Sequence, residues 1–238
     1  MGIRSTNPLQ SFIDNFYRSG TDAMRAGGGG ASNFASGGVI SDYEDSGTFY
    51  RAHIFTASGS LVTTETITAD ILAVGGGGGS GRASGNGNFA GAGAGGMLTQ
   101  TGVSIASGTT CPIVIGGGGS QFESTSGSGN YGGNGVDTAF TLPTGPTVYT
   151  AAGGGAGGGA DQSNGRPGGS GSGTANVALA GGAGNQYGPT SPLNPAPAPG
   201  QGNPGGNGSA GDDGAGGGGG AGASGGNCLL YTSPSPRD

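Results

Sequence analysis

Ile71-Leu72-Ala73-Val74-Gly75-Gly76-Gly77-Gly78-Gly79 decides the fold: four apolar residues suited to a β-strand run without a break into five glycines. The unit recurs. Pro112-Ile113-Val114-Ile115 leads into the glycines of 116–119, and Thr147-Val148-Tyr149-Thr150 leads through two alanines into Gly153-Gly154-Gly155-Ala156-Gly157-Gly158-Gly159. Val177-Ala178-Leu179-Ala180 leads into Gly181-Gly182-Ala183-Gly184, and a fifth glycine block, 214–226, has no apolar tetrad before it. A unit of strand and glycine run repeated in this way argues for stacked architecture rather than linker.

An ordered glycine run must offset a large entropic cost, about 1–2 kcal/mol per fixed backbone residue. It has no side chains to bury, so the available groups are one N–H and one C=O per residue. In the polyproline-II conformation a chain makes no internal hydrogen bonds and points its peptide groups outward with three residues per turn. Several such runs side by side can saturate one another, and only glycine permits that closeness. A five-residue run would be about 15 Å long at roughly 3.1 Å per residue. Interspersed Ala, Ser and Asn are expected to point outward or lie at the rim. The expected fold is therefore mainly β, a small antiparallel sheet supporting a polyglycine-II bundle, with almost no α-helix.

Composition narrows the function classes. Glycine supplies 64 and proline 13 of the 238 residues, with no collagen triplet, while charged residues are 8% and the formal net charge is −6. A conventional helical or α/β enzyme of this length needs a larger apolar core. The chain has no Lys and seven scattered Arg, so no basic patch offers itself to nucleic acid. No apolar run approaches the roughly 18–20 residues of a membrane span, and no membrane insertion is expected. Met1 to Tyr17 lacks the basic start and apolar stretch of a secretory signal.

Four segments follow from the pattern. Residues 1–38 form a leader, in which Ser11 can cap a short helix pairing Phe12 with Phe16 and Ile13 with Tyr17; it reads either as an attachment segment or as a tail. Residues 39–74 carry ordinary β chemistry: a strand over 49–55, a turn at 57–60, alternation from Leu61 to Ile67, and a further strand over 70–74. Residues 75–227 form the glycine-rich domain. The last eleven residues, 228–238, resemble a translated sequencing adapter and are set aside, which leaves Cys111 alone and no disulfide framework.

Motifs for chemistry fail on context. Val74 and the five glycines after it satisfy G-x-G-x-x-G, but residues 80–87 supply no helix to meet a pyrophosphate, and Arg82-Ala83 replaces the Lys-Ser/Thr of a phosphate loop. Residues 132–140 match the calcium nonapeptide G-G-x-G-x-D-x-U-x, with Asp137 as the one plausible ligand; a single copy makes half a site. Gly222-Ala223-Ser224-Gly225-Gly226 spells a nucleophile elbow without its preceding strand, and the only histidine, His53, comes early on a strand and reads as a sheet-surface residue. Asp212-Asp213 reads as a solvated turn. No catalytic residue, cofactor or metal is assigned.

Between the glycine runs lie segments of Asn, Ser and Gln with isolated aromatics: Phe89, Phe122, Tyr131 and Tyr187, the last beside a proline cluster over 189–204. Tyr, Ser, Gly and Asn are the mix that binding loops favour, and loops on a rigid scaffold tend to carry function. These four aromatics are the receptor-contact candidates, with burial in a small core the competing reading for Phe89 and Phe122.

Phe49-Tyr50-Arg51-Ala52-His53-Ile54-Phe55-Thr56-Ala57-Ser58-Gly59-Ser60-Leu61, then Asp70-Ile71-Leu72-Ala73-Val74 with its glycines, then 108–119 and Asn134-Gly135-Val136-Asp137-Thr138-Ala139-Phe140, resemble the glycine-rich domain of tailed-phage tail-fibre and adhesin proteins. The resemblance covers about 39–227. It implies a non-enzymatic protein at the tip of a virion tail fibre, or extracellular if not viral. Loops between glycine runs would touch a host cell-surface receptor, protein or glycan, and other virion tail proteins would be partners. A structural or ice-binding surface protein and a disordered, self-associating chain remain the alternatives; a flat, repeated Thr or Ala face would favour the former.

Overall fold

Strict alternation builds the first sheet. The computed structural model describes residues 34–81, 89–121, 132–143, 147–158, 164–174, 180–184, 200–209 and 214–228. Strand β4 (Gly59–Thr63) buries Leu61 and Thr63, β7 (Thr110–Val114) buries Cys111 and Ile113, β8 (Thr138–Leu142) buries Thr138, Phe140 and Leu142, and β9 (Thr147–Ala151) buries Tyr149 and Ala151. With β1 (Ala35–Ser36) at one edge they form a five-stranded antiparallel sheet in the order β1-β4-β7-β8-β9. Phe140 and Tyr149 stand directly opposite on β8 and β9 with ring centroids 6.2 Å apart.

A second pair, β5 (Ile67–Val74) and β6 (Met97–Ile105), lays Ala73, Leu98, Val103 and Ile105 onto the same core, β5 against β8 and β9 and β6 against β9. The result is a small two-layer β-sandwich. A third sheet, β2 (Val39–Asp45) with β3 (Thr48–Ile54), is a hairpin closed by Ser46-Gly47. Both turn residues have positive φ, 52° and 82°, which the two-residue hairpin turn matched to strand twist requires.

The strand expected over 49–55 is β3, and that over 70–74 is the end of β5. The alternation from Leu61 to Ile67 is broken instead into β4 and β5. Buried Thr63 is the cause: its hydroxyl donates to the Ala106 carbonyl at 2.7 Å and accepts from the Thr109 amide at 3.1 Å, pinning the β6–β7 corner where β4 ends. Residues 1–33, with the candidate leader helix, and the tetrad at 177–179 lie outside the described residues.

Beyond the sandwich the strands continue as glycine runs. β5 and β6 pass into 75–81 and 89–96, β7 and β8 into 116–121 and 132–137, and β9 into 152–158. Here the hydrogen bonds step by three residues. Gly75 and Gly78 donate to Gly96 and Gly93; Gly76 and Gly79 donate to Val136 and Gly133; Gly154 and Gly157 donate to the carbonyls of Gly76 and Gly79. Three residues per turn is the polyproline-II period, and the run 75–81 thereby bonds to different neighbours in successive directions. The pattern carries on outward: Ser170 and Gly173 donate to Ala94 and Gly91, Gly216 and Gly219 to Thr174 and Gly171, and Gly225 and Cys228 to Pro204 and Asn207. No glycine of these runs adopts a positive φ. Among the described residues the protein is mainly β with antiparallel sheets and no helix.

Glycine is demanded here by proximity. A Cβ at Gly76, Gly135 or Gly154 would lie inside 3.0 Å of a neighbouring run's backbone, whereas one at Gly77 or Gly117 would meet nothing within 4 Å. The placement of the other small residues corrects the expectation from sequence. Ala152, Ala156, Ser170, Ser172 and Thr174 do not line the rim but are buried within the lattice, because a few interior directions leave room for one small side chain. Gly154→Ala should therefore cost about 1–3 kcal/mol as an overpacking change, and Gly77→Ala should stay within about 0.5 kcal/mol of the parent; thermal melting of the two variants side by side checks the contrast.

Candidate binding surface at the far pole of the bundle

The runs alternate in direction, so their ends fall at two poles. At the sandwich pole Gly75 meets Gly96, Gly96 meets Ala152, Gly169 meets Gly153, and the Met97 amide donates to the Gln201 carbonyl at 2.9 Å. At the far pole Ala90 meets Gly158, Gly132 meets Gly157, Gly91 meets Gly216, and Thr174 meets Gly206. The run ends that bound segments 82–88, 122–131, 159–163, 175–179 and 210–213 all lie at this far pole. The ends that bound 185–199, Gly184 and Gly200, lie at the sandwich pole.

This polarity sorts the candidate aromatics. Phe89 opens a returning run at the far pole and is 59% exposed, so it is not a core residue. Phe122, Tyr131 and Tyr187 are outside the described residues. The described run ends on either side of 122–131, Gln121 and Gly132, lie at the far pole with Phe89, and those on either side of 185–199, Gly184 and Gly200, lie at the sandwich pole.

Polar side chains, of which the sequence reading singles out only Asp137, and that for calcium, hold the lattice where two-residue ladders give way to three-residue ones. That change of period strands peptide N–H groups, and side-chain oxygens take them up. Thr138 accepts from the Gly116 amide at 3.0 Å, Asp137 from Gly153 at 2.8 Å, and Asn134 from Ala156 at 3.0 Å. Gln201, 1% exposed, accepts from the Ala152 amide and donates to the Thr150 carbonyl, both at 2.7 Å. Asp137 and Asn134 of the calcium-like nonapeptide are thus engaged with backbone amides of the neighbouring run. A lone Gln followed by Gly-Asn-Pro carries no local signal for this role, since its partners lie about fifty residues earlier in the chain.

Among the described residues no three His, Cys, Asp or Glu side chains gather as metal ligands would. His53 sits on β3 with Nδ1 2.7 Å from the Gly37 carbonyl, which makes Nδ1 the donor. Ser224 lies exposed just after the bend at 221–223, without the strand a nucleophile elbow needs. Burial pushes the Cys111 thiol up, keeping it neutral and inert. On the hairpin, Arg51 Nε and Nη2 each donate to Asp42 at 2.7 Å. That forked hydrogen bond holds the Asp42 carboxyl below the usual carboxylate value, against a smaller opposing effect of desolvation.

A family model described as "Glycine-rich domain" matches residues 56–232. The chain belongs to this glycine-rich domain family. No curated protein and no solved structure matches it. The matched stretch takes in β4 to β9 and every described glycine run, and it leaves β1 and the β2–β3 hairpin outside.

Two measurements test these assignments. Gln201→Leu leaves the Ala152 amide and Thr150 carbonyl buried and unpaired, at about 1–3 kcal/mol each, and should lower the melting temperature of the whole domain. Because the folded Asp42 pKa is depressed, its contribution is present at neutral pH and is lost as pH falls below about 4. The near-ultraviolet dichroism of the stacked Tyr43–Tyr50 pair on the same hairpin should fade in that window, and Asp42→Asn should remove the pH dependence.

Proposed function

We propose that this glycine-rich domain protein is a non-enzymatic adhesin of the tail-fibre type, exposed on a virion or otherwise extracellular, which binds a host cell-surface receptor through the connections at its far pole. The carrying observation is that five inter-run connections leave one end of a single hydrogen-bonded lattice, while the sandwich closes the other. A rigid base lowers the entropic cost of presenting variable segments, which is the usual logic of recognition loops. Phe89 marks that surface with an exposed aromatic ring. Phe122 and Tyr131, in a connection bounded by run ends at that pole, join it as contact candidates, while the connection with Tyr187 is bounded by run ends at the sandwich pole. A flat ice-binding or matrix face is less favoured, because Ala152, Ala156 and Thr174 are buried inside the lattice.

Replacing 82–88 and 122–131 by Gly/Ser segments of equal length should abolish attachment to bacterial cells that the intact chain binds, with melting unchanged. Replacing 185–199 should leave that attachment in place. Retained attachment after the far-pole exchange would sink the reading.

A further inference from the structure

The β2–β3 hairpin carries an apolar face that no described element covers. Strand register puts Val39, Ser41 and Tyr43 of β2 on one face with Tyr50, Ala52 and Ile54 of β3. Val39 is 65%, Tyr43 52%, Tyr50 44% and Ile54 48% exposed, and Tyr43 and Tyr50 stack with centroids 5.3 Å apart. The opposite face is mixed, carrying the Asp42–Arg51 pair with Glu44 and His53 beside Ile40 and Phe49. A two-stranded hairpin by itself is marginal in water, so its apolar side calls for an occupant.

We propose that residues 11–17 of the same chain dock on this face. The site of attachment is right: Phe34 follows residues 1–33 directly, and its carbonyl accepts from the Thr64 amide at 2.9 Å, anchoring the chain one short strand before the hairpin begins at Val39. The reach is right as well. Seventeen residue steps separate Tyr17 from Phe34, and a glycine-rich coil of that length spans about 20–25 Å. A seven-residue hairpin is about 24 Å long. The chemistry matches, because Phe12, Ile13, Phe16 and Tyr17 form an apolar cluster in the leader. Size favours a tethered occupant over a second copy. The face covers roughly 250 Å² from strand spacing and rise, well short of the about 800 Å² per partner of a stable interface. A short tether supplies an effective concentration near the millimolar range, which makes a small patch sufficient.

The test is amide hydrogen exchange on the full chain and on Phe12→Asp/Phe16→Asp, with the sandwich strands β6 and β8 as the folding control. Loss of the docked segment should speed exchange across 39–54 by about tenfold or more, as expected of a local opening, and leave β6 and β8 unchanged. A synthetic peptide of residues 1–20 added to a chain lacking 1–33 should restore the slow exchange. Unchanged hairpin exchange in the double variant overturns the proposal, and so does hairpin protection that rises with protein concentration, which would mark a second copy as the occupant.

Discussion

Backbone amide to backbone carbonyl, from one bare run to the next, is the interaction on which this structure depends. In most domains such bonds accompany a hydrophobic core; here they replace it over more than half of the described chain. A single peptide hydrogen bond contributes only about 0.5–1.5 kcal/mol net, so the lattice works through repetition and through exclusion of water from groups that would be costly to leave unpaired. Gly76 illustrates the economy: its amide bonds Val136 and its carbonyl receives Gly154, so one residue without a side chain joins three runs.

The sandwich has a distinct task. Its ladder fixes where the runs begin, because β5 with β6 and β7 with β8 hand their antiparallel pairing directly to the glycine pairs that follow. Where the two periods meet, the mismatch falls on a few polar side chains, Thr138, Asp137 and Gln201. These residues connect the two halves of the molecule. They also explain how the bundle gains one orientation relative to the sandwich, since a shift by one residue would break each of those bonds together.

Function on this reading is a matter of polarity. Alternating run direction brings the described ends of five connections to the pole away from the sandwich, although those ends are far apart in sequence. The segment with the proline cluster departs from the other pole. Of the four aromatics that look equivalent in sequence, Phe89 is the one the structure describes, exposed at the far pole.

The strand-then-glycine repeat, and hence the polyglycine packing, was legible in the chain because Gly75, Gly76 and their equivalents follow short strand-like tetrads in four of the five glycine blocks. β3 and the end of β5 were legible for the same reason: aromatic and branched residues cluster there. Sequence alone did not show that Ala152, Ala156 and Ser172 face inward, nor that Gln201 closes the join, nor that Phe89 lies exposed at the far pole. Those outcomes depend on which run lies beside which, and partners separated by tens to more than a hundred residues leave no local trace. A glycine run specifies that it must be crowded; only the assembled lattice decides by what.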